Sequence, residues 1–170
     1  QEVARSVKQL ETEGIIADLE AISSGNLATG GEISAVTSGL FTWEDLCNLW
    51  GGVASQDFSP DKTAMNPLQA ADLFKEQEFT NQLMLGDYVD LSVGRFGRTI
   101  LGTDILVSSL IASGHVYMLS SVAALAYVLR RDMMVRTWDN TKDEIYGVGC
   151  NIRYGLKDIY NTAVARGTDF

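Results

Sequence analysis

His115 is the one histidine in the chain, so Ser-His-Asp or Cys-His nucleophilic chemistry would have to run through it. It stands within "ILVSSLIASGHVYMLSSVAALAYVL", Ile105 to Leu129, twenty-five residues that contain no Asp, Glu, Lys or Arg. No acid or thiol lies within one helical turn of it, which favours a packing histidine over a catalytic one. Asp104 shares its helical stripe, but eleven residues of helix would hold the two roughly 16 Å apart. Carboxylates are paired at Glu44 with Asp45, Glu76 with Glu78 and Asp143 with Glu144. The first and last pairs fall in the first turns of predicted helices, where negative charge complements the helix dipole. A di-iron bundle needs Glu-x-x-His on paired helices, which one histidine cannot supply. Cys47 and Cys150 are 103 positions apart, so there is no CxxC metal spacing. They are read either as one internal bridge or as two buried thiols. These residue types point to no catalytic, cofactor-binding or metal-ligating set, and the expectation is a protein that is not an enzyme.

Charge is uneven along the 170 residues. Residues 1–90 carry four basic side chains, Arg5, Lys8, Lys62 and Lys75, against fifteen acidic ones, a balance of −11, and residues 91–170 carry +2, which makes the net −9. An acidic surface repels phosphate backbones, which argues against nucleic acid as a partner. Gln1 cannot initiate translation, so an upstream segment, such as a cleaved signal peptide, is expected to have been removed.

Periodicity predicts the elements that must carry these residues. Val3, Val7, Leu10, Ile15, Leu19 and Ile22 recur at three to five, an amphipathic helix that "GNLATGG" stops. Thr42 with Asp45 three residues on reads as a capping box for a short helix over "FTWEDLCNLW". Ser59-Pro60 and Asn66-Pro67 each place proline after a capping residue, and Pro67 to about Leu85 reads as a helix with Leu68, Ala71, Phe74, Phe79 and Leu83 inward. Asn140 is expected to cap a last helix, with Asp143 in its first turn and Ile145, Val148, Ile152, Leu156, Ile159 and Ala163 on its apolar face. Gly147, Gly149 and Gly155 would then serve close helix packing, since "GVG" lacks the third glycine and the preceding strand of a phosphate loop. The predicted class is all-α: five or six helices with one long apolar helix over about 99–132. The domain reading is an acidic helical region over 1–90, exported or exposed, and an apolar plus amphipathic helical region over 91–170.

The long helix decides the functional expectation. At 1.5 Å per residue it would extend roughly 37 Å, enough to cross a hydrocarbon core of about 30 Å. On a helical wheel Asp104, Ser108, Ala112, His115 and Ala123 form a small, mildly polar face opposite Leu106, Val107, Leu110, Ile111, Tyr117 and Met118. Ser109 and Ser113 supply a small-xxx-small contact. Arg130, Arg131, Arg136 and Lys142 follow the segment and only Arg95 and Arg98 closely precede it, which by charge asymmetry places the N-terminal half outside. Trp138 stands nine residues beyond the segment, far for an interfacial belt, and Trp43 and Trp50 read as core. The leading expectation is a non-enzymatic helical subunit of a cell-envelope assembly for secretion, transport or surface structure. Its partners would be other protein subunits in a homo- or hetero-oligomer, with membrane contact through Ile105 to Leu129. The alternative is a soluble all-α interaction or virion-type structural protein whose apolar helix is buried in its own bundle or between subunits.

Overall fold

The computed structural model describes residues 2–36, 39–75, 89–90, 95–96, 100–140 and 145–170. Its helices are α1 (Glu2–Ala21), α2 (Trp43–Ala54), α3 (Pro67–Lys75) and α4 (Ser121–Ala124). The strands are β1 (Ile33–Ser34), β2 (Lys62–Met65), β3 (Val89–Asp90), β4 (Arg95–Phe96), β5 (Asp104–Val107), β6 (Val116–Leu119), β7 (Leu125–Asn140), β8 (Ile145–Asp158) and β9 (Val164–Thr168). The all-α expectation is therefore corrected to a mixed α/β architecture. The chain divides into two compact units, Gln1–Ala21 with Ala126–Asp158, and Ile22–Leu125 with Ile159–Phe170.

The larger unit is built on a five-stranded mixed sheet in the order β1-β9-β6-β2-β5. β6 lies antiparallel to both β9 and β2, while β1 runs parallel to β9 and β5 parallel to β2. All four residues of β6 are buried. A strand covered on both faces and both edges reads as an unbroken apolar run, which periodicity cannot separate from a buried helix. That is how Val116–Leu119 merges into the apolar run from Ile105 to Leu129. In place of the predicted helix over 99–132 the chain makes β5, a turn through Ser108–Gly114, then β6, α4 and the start of β7. The turn has a physical cause in Gly114, whose φ of +85° is a left-handed conformation that costs an L side chain about 1–2 kcal/mol. No helix among the described residues is long and apolar enough to cross a membrane. The expected membrane segment and its small-xxx-small contact are thereby withdrawn.

One side of this sheet carries the main core. Phe41, Leu46, Leu49 and Val53 from α2 and its approach, Leu73 from α3, and Met65, Val116, Met118 and Ala165 from the strands form one buried cluster with Ile100 and Phe170. Phe41 meets Phe170 edge to face at 4.8 Å. The capping box at α2 is present as the sequence predicts. The buried Asp45 carboxylate accepts from the Thr42 amide and hydroxyl at 2.9 and 2.7 Å and, in addition, from the Val36 amide at 2.9 Å, tying the preceding loop to the helix. Asn66 Oδ1 accepts from the Leu68 amide at 3.0 Å and Pro67 opens α3, again as predicted, but Leu68 is exposed while Leu73 is buried. The expected inward positions Phe79 and Leu83, and the pair Glu76 and Glu78, lie outside the described residues.

The smaller unit pairs α1 with a two-stranded ribbon of β7 and β8. Only four residues join these long strands, a connection that permits antiparallel pairing and no crossover. The predicted last helix from Asn140 to Gly167 is thus corrected to β8, a one-turn 3₁₀ segment at Asn161–Ala163, and β9. In β8, Cys150, Ile152, Tyr154 and Leu156 are half-buried while Asn151, Arg153, Gly155 and Lys157 are exposed. That alternation is the period-two signature of a strand with one covered face.

Replacing Gly114 separates the two descriptions of this region by sign. In a helix interior Gly114→Ala would stabilise the protein by about 0.5–1 kcal/mol, whereas at the observed turn it should destabilise by about 1–2 kcal/mol. The urea midpoint at unchanged slope is the measurement, and a rise would contradict the strand-turn-strand arrangement.

Candidate assembly surface

In the larger unit His115 and Asp104 have separate partners. His115 sits half-buried at the end of the turn before β6, its Nδ1 3.3 Å from the hydroxyl of the buried Tyr117. It borders a cleft of about 470 Å³ with Ser34, Ser113, Gly114, Asp169 and Phe170. Neither serine is hydrogen-bonded to the ring, so no nucleophile and base are joined there. Asp104 faces away from this chemistry: it holds Lys62 of the neighbouring strand at 2.6 Å. Among the described residues no three His, Cys, Asp or Glu side chains cluster to hold a metal. Cys47 and Cys150 are both free, half-buried thiols, and burial, then the nearby Glu44, pushes the Cys47 thiol up. Trp43 opens α2 and packs against the core, and Trp50 near the end of that helix is partly exposed. Asp143 and Glu144 lie outside the described residues.

What the structure does assemble is a surface on the ribbon, and sequence reasoning missed it. Val128, Tyr146 and Val148 are 63 %, 81 % and 55 % exposed, and Trp138 is 55 % exposed. The indole of Trp138 lies across Gly147, where an added Cβ would overlap the ring at 2.1 Å, so the glycine is what lets the aromatic lie flat on the strand. Two shallow grooves flank it on the same ribbon. One of about 540 Å³ is lined by Val128, Arg130, Ile152, Arg153, Tyr154 and Gly155, and one of about 260 Å³ by Arg131, Met134, Arg136, Trp138, Gly149 and Asn151. Of the glycines expected to serve helix packing, Gly155 and Gly149 each line one groove, while Gly147 is covered by Trp138. The signal that could have found them is the alternation "CNIRYGLKD", which places Arg153, Gly155 and Lys157 on one face.

α1 secures the other side of the ribbon. Tyr127 and Tyr154 stack at 5.7 Å, and the Tyr127 hydroxyl donates to the Glu11 carboxylate. The hydrogen bond to Glu11, with smaller contributions from desolvation and the same negative charge, pushes the Tyr127 hydroxyl up to about 12. Gly14 faces Tyr154 and Leu156, consistent with close approach of helix and strand.

No family model and no curated protein matches the chain. Solved structures do. A chain from Mycobacterium phage Che8 superposes with a TM-score of 0.71 at 14 % identity, over 96 % of this chain and 60 % of that one. The asymmetric unit of the bacteriophage PhiM1 mature capsid gives a TM-score of 0.68 at 9 % identity, over 96 % and 61 %. The holo-SrpI encapsulin complex from Synechococcus elongatus gives 0.63 at 19 % identity, over 98 % and 64 %. The likeness is one of fold, and these neighbours have the HK97 fold. The chain spans about three fifths of the length of the solved chains it matches. This likeness, together with the loss of the apolar helix, overturns the expected cell-envelope location and the membrane and secretion readings.

Tyr127 makes a pH prediction. Its folded pKa is raised above the ordinary value near 10, so the stabilisation it brings is complete below pH 10 and is lost as pH rises toward 12. In an ultraviolet titration of the folded protein one tyrosine should ionise near 12, and Tyr127→Phe should abolish that step. Retention of the late step in the variant would place it elsewhere.

Proposed function

We propose that the chain is a non-enzymatic structural subunit that associates with copies of itself into a virion-type or encapsulin-type shell. The observation that carries this reading is the fold likeness over 96 % of the chain to the Che8 chain and to the PhiM1 mature capsid, with the encapsulin complex as a third match from a bacterium. The low identities make the fold the supporting argument, and no residue role is transferred. The exposed aromatic and aliphatic side chains of the ribbon support the same reading, because an isolated soluble domain gains nothing from leaving Trp138, Tyr146 and Val148 in water.

Self-association tests it directly. The purified chain should sediment as species far heavier than one chain and show rings, sheets or closed particles by negative-stain electron microscopy. A single-chain mass at every concentration tried would count against the reading.

A further inference from the structure

The ribbon's charge is out of keeping with the rest of the molecule. β7 and β8 carry Arg130, Arg131, Arg136, Arg153 and Lys157 against Asp132, Asp139 and Asp158, a local +2 in a chain of −9, which leaves −11 for everything else. The ion pairs among the described residues are Lys62 with Asp104, Lys75 with Asp72 and Arg166 with Glu32, so none of the four ribbon arginines has an ion-pair partner among the described residues. All four are exposed, and they border the two grooves in pairs, Arg130 with Arg153 and Arg131 with Arg136.

Arginine exposed in this setting is well suited to an interface. Its planar fork meets carboxylates bidentately and is weakly hydrated, so it is enriched, with tryptophan and tyrosine, where protein surfaces meet. The grooves offer both parts of such a surface: guanidinium groups on the walls, with Trp138, Met134 and Val128 as apolar contact area and glycines as floor. We infer that the arginine-bearing β7–β8 ribbon is a self-association element that receives the acidic remainder of a second copy of this chain. The occupant follows from charge complementarity, since each copy offers −11 outside its ribbon. The inference rests on the shell-subunit reading and adds to it which surface makes the contact and by what force. Attraction of this kind steers encounter and fixes register, and salt weakens it over a screening length of about 10 Å at 0.1 M.

The test is sedimentation velocity of the nuclease-treated full chain beside Arg136→Glu/Arg153→Glu and the charge-keeping Arg136→Lys/Arg153→Lys. Circular dichroism and thermal midpoint serve as checks of folding. The expected result is association of the wild type that weakens with added sodium chloride, at least tenfold weaker association of the glutamate variant, and near-retention in the lysine variant. If the glutamate variant fails to fold, Arg130→Gln/Arg153→Gln takes its place with the same expected loss. A wild type that assembles beside an equally assembling reversed variant overturns this inference and leaves the shell reading standing. A wild type that never associates overturns both. Assembly unchanged by the substitutions, together with loss of bound nucleic acid before nuclease treatment, would assign the arginines to a polyanion instead and overturn the inference.

Discussion

β6 leaves no edge and no face to water, and the larger unit is organised around that constraint. Its backbone groups are satisfied by β9 on one side and β2 on the other, as burial demands. Its side chains Val116 and Met118 enter the core shared with α2 and α3, while Tyr117 and Leu119 are buried on the opposite face. A charge at any of the four positions would be desolvated without a partner. Over β6 the absence of ionisable groups that suggested lipid therefore has another source: the chain's own sheet supplies the apolar medium there.

The acidic side chains around this core do local structural work that their number alone conceals. Asp45 caps α2 and holds Val36. Asp61, just before β2, accepts from the amide and hydroxyl of Ser121, joining the sheet to the start of α4. Glu32 accepts from the buried Arg166, and Asp104 holds Lys62 across adjacent strands. The front-loaded negative charge read from the sequence is thus divided between groups engaged in turns and caps and groups that face solvent. The ribbon has the opposite imbalance, with five cations against three acids and no arginine ion-paired among the described residues.

Legibility followed the range of the determining contact. Thr42 with Asp45, Asn66 with Pro67, and the helical stripe of Val7, Ile15 and Leu19 are decided within a few residues, and the structure contains all of them, although Val3 and Leu10 turn outward. β8 was legible and misread. Val148, Ile152 and Leu156 are spaced by four, which satisfies a strand and approximates a helix, and the discriminating residues are Cys150 and Tyr154 between them. β6 was not legible at all, because what makes it a strand is pairing with residues some fifty positions away on either side. The ribbon surface shares that difficulty: Arg131 and Asn151 border one groove only because two strands run beside each other.

The order of synthesis follows from the same topology. β9 lies between β1 and β6 in the sheet, yet it is made after both, so an emerging chain holds the innermost strand with one flank bare until Val164–Thr168 leave the ribosome. Pairings this distant in sequence form slowly, because a long loop must close before the contact rewards it. During that interval the exposed flank is a template for another nascent chain. A chain with this topology therefore passes through a stage in which the wrong association is open to it, and β9 is what closes that door.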